Sequence, residues 1–126
     1  MPIYKIKDLC NIVQIKSKDV LFNQEGKIKY YTHLNNFKFC ETPIINSTSI
    51  LVSNTTSALV ILDSNYACSD KYYVLTLKSD LIDINVTIEK IYEYLFNNIN
   101  ILDMQFTGQA IRRLYKAELE NFEVVI

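Results

Sequence analysis

The strongest constraint on the fold is one amphipathic stretch near the end of the chain. From residue 88 onward, large apolar residues recur at intervals of three and four, at Ile88, Ile91, Tyr92, Leu95, Phe96 and Ile99. This spacing places them on one stripe of an α-helix. Either Asn85 or Thr87 is suited to cap the first turn. Glu89 lies in that turn, where a negative charge interacts favourably with the helix dipole. A helix with one apolar face needs another element to cover it, and we expect that cover to be a β-sheet.

The rest of the chain predicts mainly short strands. The alternation of apolar and polar residues at 3–9 predicts a strand, although Asp8 to Ile12 could equally form one helical turn. The run 66–79 predicts either one long strand or two pieces broken near Ser69-Asp70. Further strands are expected at residues 28–34, 49–53, 58–62, 111–114 and 122–126, and a short aromatic segment at 37–39.

The connections between these runs also carry signals. Residues 54–57 read as the loop of a hairpin, and Gly26 as a turn residue with positive φ. One or two helical turns are expected at 116–121. Together the elements predict one domain, residues 1–126, of the α+β class. We expect a mixed, mostly antiparallel, curved sheet of about seven to nine short strands, with one principal helix in the C-terminal third.

Composition and charge limit the functions that are open to the chain. The formal net charge is −1 and the pI about 5.8, so binding to nucleic acid would need a local basic patch. The first residues lack the charged start and apolar run of a signal peptide, and no apolar run approaches the length of a membrane span, so we expect neither. Three cysteines, Cys10, Cys40 and Cys68, have no metal-binding spacing. We interpret them as buried free thiols in a reducing compartment, which predicts a cytoplasmic protein.

Catalytic motifs are missing from the sequence. The single histidine, His33, lies in a strand-like run and is interpreted as structural or surface-exposed. No serine or cysteine occupies a nucleophile-elbow pattern, and no glycine-rich loop is available for phosphate. The aspartates lie in turns or beside the helix, where Asp commonly makes local hydrogen bonds. We therefore expect no catalytic residue, no metal and no cofactor, and the chain is not expected to be an enzyme.

Basic and amide side chains suggest binding instead. Arg112 and Arg113 are the two arginines, and in a strand they would point to opposite faces, so at most one would lie on any given surface. The other would cover the sheet edge or pair with a glutamate such as Glu118. Near the N-terminus, lysines flank polar loops that also carry Gln14, Asn23 and Gln24. These residue types contact phosphates and base edges, although an ordinary solvated surface has the same composition.

The order of the segments resembles the target recognition domain of type I restriction-modification specificity subunits. The matching pieces cover nearly the whole chain: KIKDLCNIVQIKS, EGKIKYYTHLNN, SILVSNTTSALVIL, NYACSDKYYVLTLKS, IYEYLFNN and FTGQAIRRLYKAELENFEVVI. The resemblance implies a mixed α/β fold that reads duplex DNA from the major groove with loops. It also implies no chemistry in the domain itself, because cutting and methylation belong to partner subunits.

Carried over by position, the resemblance assigns a DNA-facing side. It consists of the loop after Val13, the strand that follows Gly26, and the loop around Gly108. The candidate DNA-binding residues are Gln14, Lys16, Lys18, Lys27, Lys29, Thr107, Gln109 and Arg112.

The resemblance also implies partners, which would be duplex DNA, a methyltransferase or other protein subunits, or a second copy of the chain. Specificity subunits carry two such domains separated by long helices, whereas we recognise one domain here and no spacer helix after it. The alternative hypothesis is a structural or scaffold protein that reuses the fold for protein–protein contacts. The near-neutral charge and the nine tyrosines motivate it.

Overall fold

The computed structural model describes residues 2–16, 22–34, 36–81 and 85–126. Within these ranges it contains nine strands and four helices, in the order β1 (Ile3–Lys5), α1 (Ile6–Leu9), β2 (Cys10–Val13), β3 (Ile28–His33), β4 (Asn36–Cys40), β5 (Ser49–Ser53), β6 (Val60–Asp63), β7 (Ala67–Cys68), β8 (Tyr72–Leu77), α2 (Ile88–Asn97), α3 (Ile99–Asp103), α4 (Lys116–Glu120) and β9 (Glu123–Val125). The α+β class and the principal helix α2 are confirmed.

The described strands form three hydrogen-bonded sheets, where we expected one curved sheet. The central sheet has the order β2-β8-β5-β6 and is antiparallel throughout. A second sheet has the order β4-β3-β7, with β3 and β7 parallel, and β1 pairs with β9 alone. The division follows from the predicted break at Ser69-Asp70. Before it β7 pairs with β3, and after it β8 joins the central sheet, so the chain changes sheets at this turn.

The N-terminal segment differs from both expectations for it. Strand β1 ends at Lys5, and the helical turn occupies Ile6–Leu9, not 8–12. Ile6 and Leu9 are both buried. Residues three apart share one face of a helix but lie on opposite faces of a strand, so burial of both favours the turn. The Lys5 backbone N–H donates to Asp8 Oδ2 at 3.2 Å at its start.

Apolar layers cover both faces of the central sheet. On one face α2 packs over β5 and β6, and its buried residues join a core that includes Ile50, Val52 and Leu75. On the other face, Leu51 and Val74 contact a buried cluster of tyrosines, Tyr31, Tyr66 and Tyr72. The prediction that the helix packs on a sheet is confirmed, and burial on both faces explains why β5 is apolar without alternation.

Helix α2 is shorter than its predicted stripe. Thr87 is the N-cap, with its side-chain oxygen accepting from the Lys90 backbone N–H at 3.2 Å. The helix ends at Asn97, and Ile99 begins α3. Phe96 was expected on the buried stripe but is 59% exposed. It lies about 100° around the helix from the buried Leu95, beyond the edge of the apolar face.

The structure also tests the expectations for Gly26, for the three cysteines and for membrane spans. Gly26 does not have positive φ; it is needed because a Cβ there would collide with the backbone carbonyl of Cys40. All three cysteines are free and buried, as predicted. The longest helix among the described residues has ten residues, and none is long and apolar enough to cross a membrane.

Candidate functional site

Four loop segments converge on a polar cleft of about 240 Å³ at one end of the central sheet. Gln14 follows β2, and Asn54 follows β5. The turn between β7 and β8 contributes Asp70 and Lys71, and the segment before α4 contributes Arg113. The full lining is Gln14, Asn54, Thr55, Asp70, Lys71, Tyr73, Arg113, Leu114 and Tyr115. Cationic and amide side chains from distant parts of the sequence meet here, and we call this site the polar cleft.

Hydrogen bonds to backbone carbonyl groups join these segments. The side-chain amides of Gln14 and Asn54 both donate to the Asp70 carbonyl, at 2.8 and 2.9 Å. The Leu114 N–H donates to the Asn54 carbonyl at 2.9 Å. Tyr73 Oη donates to the Leu114 carbonyl at 2.9 Å, and burial raises the pKa of this phenol. The floor of the polar cleft is therefore closed by internal hydrogen bonds, while its rim is free to contact a ligand.

A tight loop, residues 107–113, forms part of that rim. Thr107 and Arg113 exchange two backbone hydrogen bonds of 2.9 and 2.8 Å across it. Gly108 has φ +121°, and a Cβ there would collide with the Ile111 carbonyl, so the turn requires glycine. The strand predicted at 111–114 is wrong. Instead Arg113 makes isolated bridges to Thr107 and Thr55, because the chain reverses too sharply for a longer ladder.

The two adjacent arginines have different surroundings. The Arg112 guanidinium donates to both carboxylate oxygens of Asp103 at 3.3 and 3.1 Å, to the Asp103 carbonyl at 2.8 Å and to the Thr56 carbonyl at 3.1 Å. It also lies 5.5 Å from the ring centroid of Phe106. The Arg113 side chain lines the polar cleft and has no hydrogen bond or ion pair with the described residues. Arg112 therefore pairs with Asp103, not with a glutamate, and Arg113 supplies the open cation.

Asp103 completes a clamp between three segments. Its Oδ1 accepts the Ala58 backbone N–H at 2.9 Å, while its carboxylate holds Arg112. The Ala58 N–H and the Arg112 guanidinium lower the pKa of the Asp103 carboxyl. The Asp103–Arg112 clamp thus fixes the end of α3, the β5–β6 hairpin and the 107–113 loop against each other, and with them the backbone of Arg113.

None of the described residues forms a cluster of three or more histidine, cysteine or acidic groups that could hold a metal ion. Burial raises the pKa of the Cys10 and Cys68 thiols to about 12, so both remain protonated at neutral pH. His33, which we interpreted as structural or surface-exposed, is half-buried, with its Nε2 3.1 Å from Thr55 Oγ1 and 3.4 Å from Thr56 Oγ1. The polar cleft offers charged and hydrogen-bonding side chains to a ligand.

A family model for the type I restriction modification DNA specificity domain matches residues 1–126, the whole chain. The chain belongs to this family. A solved structure with a similar fold is the S subunit of a type I restriction-modification system from M. genitalium, with a TM-score of 0.82 and 18% sequence identity over 98% of this chain and 33% of that chain. At this identity the likeness concerns the fold, and the domain spans about a third of that subunit. No curated protein matches the chain.

The specificity domain brings only some of the predicted site residues together. Gln14 lines the polar cleft, and Thr107 adjoins it through its backbone bonds to Arg113. Lys16 and Gln109 are exposed in loops next to these residues, and Lys18 lies outside the described residues.

Two predicted lysines are remote from the polar cleft. Lys29 lies four residues before His33 on β3, so it is about 13 Å along the strand from the end that contacts Thr55. Lys27 is farther away still. Both are exposed, and the Lys29 ammonium lies 4.8 Å from the ring centroid of Phe37.

Lys71 and Asn54 were missed by the sequence reasoning. Asn54 starts the predicted hairpin loop, and Lys71 follows the predicted break at Ser69-Asp70. Those two signals show that both residues lie at chain reversals. They do not show that the two reversals meet, which depends on the pairing of β5 with β8.

Proposed function

We propose that this specificity domain binds duplex DNA in the major groove through the rim of the polar cleft. The convergence of Gln14, Lys71 and Arg113 from three separate segments is the observation that carries the proposal. The net charge of −1 gives no overall attraction to DNA, but Lys71 and Arg113 provide positive charge locally at the polar cleft. Asp70 is the one acidic side chain in the cleft lining, against two cations.

Each group has a distinct role in this proposal. Arg113 and Lys71 would contact phosphates, which position the protein on the duplex without reading sequence. The Gln109 amide would reach base edges, where a glutamine can bond to adenine in two places. Gln14 donates one amide hydrogen to the Asp70 carbonyl, so it would meet a base edge with its second amide hydrogen and its side-chain oxygen. Lys16, Lys18, Lys27, Lys29 and Thr107 stay proposed DNA contacts. For Arg112 we propose a positioning role in place of a DNA contact, because its donors are engaged within the protein.

We infer further that residues 1–126 act as one cytoplasmic domain that recognises DNA and performs no chemistry. Cutting and methylation would then belong to partner subunits, such as a methyltransferase, and a second copy of the chain could supply a second recognition domain. Support for this comes from the family match and from the closed, hydrogen-bonded floor of the polar cleft.

The test is fluorescence anisotropy with random-sequence duplexes over a range of salt concentrations. The wild-type chain should bind at low salt, and log affinity should fall linearly with log salt. Arg113→Gln should weaken binding to all duplexes alike and reduce the slope by about 0.9, the value for one lost phosphate contact. Lys90→Gln is the matched control, because Lys90 lies on α2 and lines no part of the cleft.

Two results would contradict the proposal. One is a lack of duplex binding by the wild-type chain at low salt. The other is an equal loss of affinity in the Lys90 and Arg113 variants, which would indicate general charge attraction without a site.

A further inference from the structure

The β3–β4 ribbon presents an unusual amount of exposed aromatic surface. Strand β4 is the edge of its sheet, and Phe22 bridges to its last residue, Cys40. Phe22, Phe37 and Phe39 are 52%, 43% and 40% exposed. An edge strand with exposed large apolar side chains favours association with another molecule. The ribbon therefore has the character of a contact surface.

Lysines accompany the rings on both faces of this ribbon. Lys29 pairs with Phe39 across the strands and lies 4.8 Å from the ring centroid of Phe37, on the same face. On the opposite face, Lys38 lies 5.2 Å from the ring centroid of Phe22. Each aromatic group is thus next to a cation, at a distance typical of cation–π contacts.

The charge of the ribbon selects among the possible ligands. Strands β3 and β4 carry two lysines and no acidic residue. The nearest acid after β4, Glu41, accepts a hydrogen bond from the Asn23 side chain at 3.1 Å. A complementary ligand would therefore offer a flat ring for stacking and a negative group about one side chain away. A nucleotide has both features, because its base stacks and its phosphate meets a lysine.

We propose that the β3–β4 ribbon binds an unpaired nucleotide by stacking its base on the exposed ring surface of Phe37 or Phe39, with Lys29 on the adjacent phosphate. The two rings stand edge to face at 83°, with centroids 5.6 Å apart, so each would take a separate base. In an intact duplex the base faces are covered by their neighbours, so these rings favour single-stranded or unstacked DNA. This inference rests on the proposed DNA-binding function and extends it. Arg113 would contact a phosphate of the duplex, whereas Lys29 would contact the phosphate of an unpaired nucleotide. Along β3, the Lys29–Phe39 pair lies four residues and the Tyr31–Phe37 pair two residues before His33, which contacts Thr55 of the polar cleft. Duplex binding by the same variants therefore has to be measured alongside oligonucleotide binding.

The experiment measures anisotropy of a fluorescent single-stranded thymidine oligonucleotide of about ten nucleotides. The double variant Phe37→Ala/Phe39→Ala should lose at least about tenfold in affinity for this oligonucleotide. Its affinity for duplex should stay within about twofold of wild type. Phe96→Ala is the control, since Phe96 is a phenylalanine on α2 that is 59% exposed, more than Phe37 or Phe39, and its ring lies 5.9 Å from that of Tyr92. Circular dichroism melts establish that each variant is folded.

Conservative variants separate stacking from simple apolar contact. Phe39→Tyr keeps a π-face and should retain affinity for the oligonucleotide, whereas Phe39→Leu keeps most of the apolar volume and should lose it. Equal affinities of the Leu and Tyr variants would overturn the inference, and so would a double variant that binds like Phe96→Ala.

Binding of duplex in the same samples keeps the two proposals distinct. Duplex binding without oligonucleotide binding would overturn this inference alone, and would leave a protein partner as the occupant of the ribbon. Oligonucleotide binding without duplex binding would support it and contradict the role of the polar cleft.

Discussion

Replacing Arg112 by glutamine should destabilise the fold without removing a DNA contact. The change removes the guanidinium that donates to Asp103 and to the Thr56 carbonyl. Glutamine has one amide in place of the fork and can restore at most part of these bonds. The 107–113 loop would then lose its side-chain tie to α3, while the backbone bonds between Thr107 and Arg113, and the bond from the Thr56 N–H to the Arg112 carbonyl, would remain.

The contacts of the Arg112 guanidinium set the size of the expected loss in the free energy of unfolding. The side chains of Arg112 and Asp103 are 40% and 37% exposed, so the ion pair is screened by water and contributes about 0.5 kcal/mol. The two hydrogen bonds from the guanidinium to backbone carbonyls contribute about 1 kcal/mol together after the same discount. We therefore expect Arg112→Gln to lower the free energy of unfolding by about 1.5 kcal/mol, or the melting temperature by about 6 °C.

Thermal and urea unfolding followed by circular dichroism measure this loss. A double-mutant cycle with Asp103→Asn isolates the pair, and a coupling energy of about 0.5 kcal/mol or more is expected. DNA affinity of Arg112→Gln should fall modestly with an unchanged salt slope, whereas Arg113→Gln should lower the slope and leave stability unchanged. An Arg112 variant with wild-type stability and a reduced salt slope would refute the reasoning and restore Arg112 as a DNA contact.

Three further predictions concern stability. Because the pKa of the Asp103 carboxyl is lowered in the fold, its contribution to stability is complete above the ordinary pKa of 3.8 and is lost as the pH falls through the lowered value. Melts at acid pH should therefore show a loss of stability in the wild-type chain that Asp103→Asn lacks. Tyr72→Phe should be neutral or raise stability by up to about 1 kcal/mol in urea melts, because the buried Tyr72 hydroxyl has no hydrogen-bond partner in the described structure; a loss above about 1 kcal/mol would contradict this. Gly108→Ala should cost about 2 kcal/mol through its positive φ and the clash with Ile111, with Gln109→Ala as a near-neutral control in the same melts; equal melting temperatures would contradict the strained turn.

Local patterns in the sequence predicted the elements that depend on neighbouring residues. The spacing of Ile88, Ile91 and Leu95 predicted α2, and the Thr87 cap was one of two candidates. The 54–57 loop predicted the hairpin of β5 and β6, whose register runs from Ser49 opposite Asp63 to Val52 opposite Val60. In these cases the period of apolar residues and the capping or turn residues act within a few positions.

Features that depend on distant residues were not predictable in the same way. The number of sheets follows from β7 pairing in parallel with β3, a contact that no local pattern encodes. The arrangement of the two arginines depends on Asp103, which is nine residues before Arg112 and reaches it through the turn at Gly108. We predicted that Arg112 and Arg113 point to opposite faces because side chains alternate in a strand. The two side chains are separated, but by the tight 107–113 loop and not by a strand.

The same limit applies to the candidate site. The resemblance placed Gln14 and the loop around Gly108 on one side, but it could not supply Lys71, because the family motif fixes framework positions and not contact side chains. Four segments that meet at the polar cleft are separated by up to 99 residues from Gln14 to Arg113. Their meeting depends on the whole central sheet, which explains why the site was only partly foreseen.

Photocrosslinking to duplexes that carry 5-bromodeoxyuridine, with the crosslinked peptides mapped by mass spectrometry, tests the central claim most directly. We expect crosslinks in the segments that line the polar cleft, around Gln14, Lys71 and residues 107–115, and a lower yield of these crosslinks when Arg113 is replaced by glutamine. Crosslinks confined to α2 or β9, and unaffected by the Arg113 substitution, would contradict it.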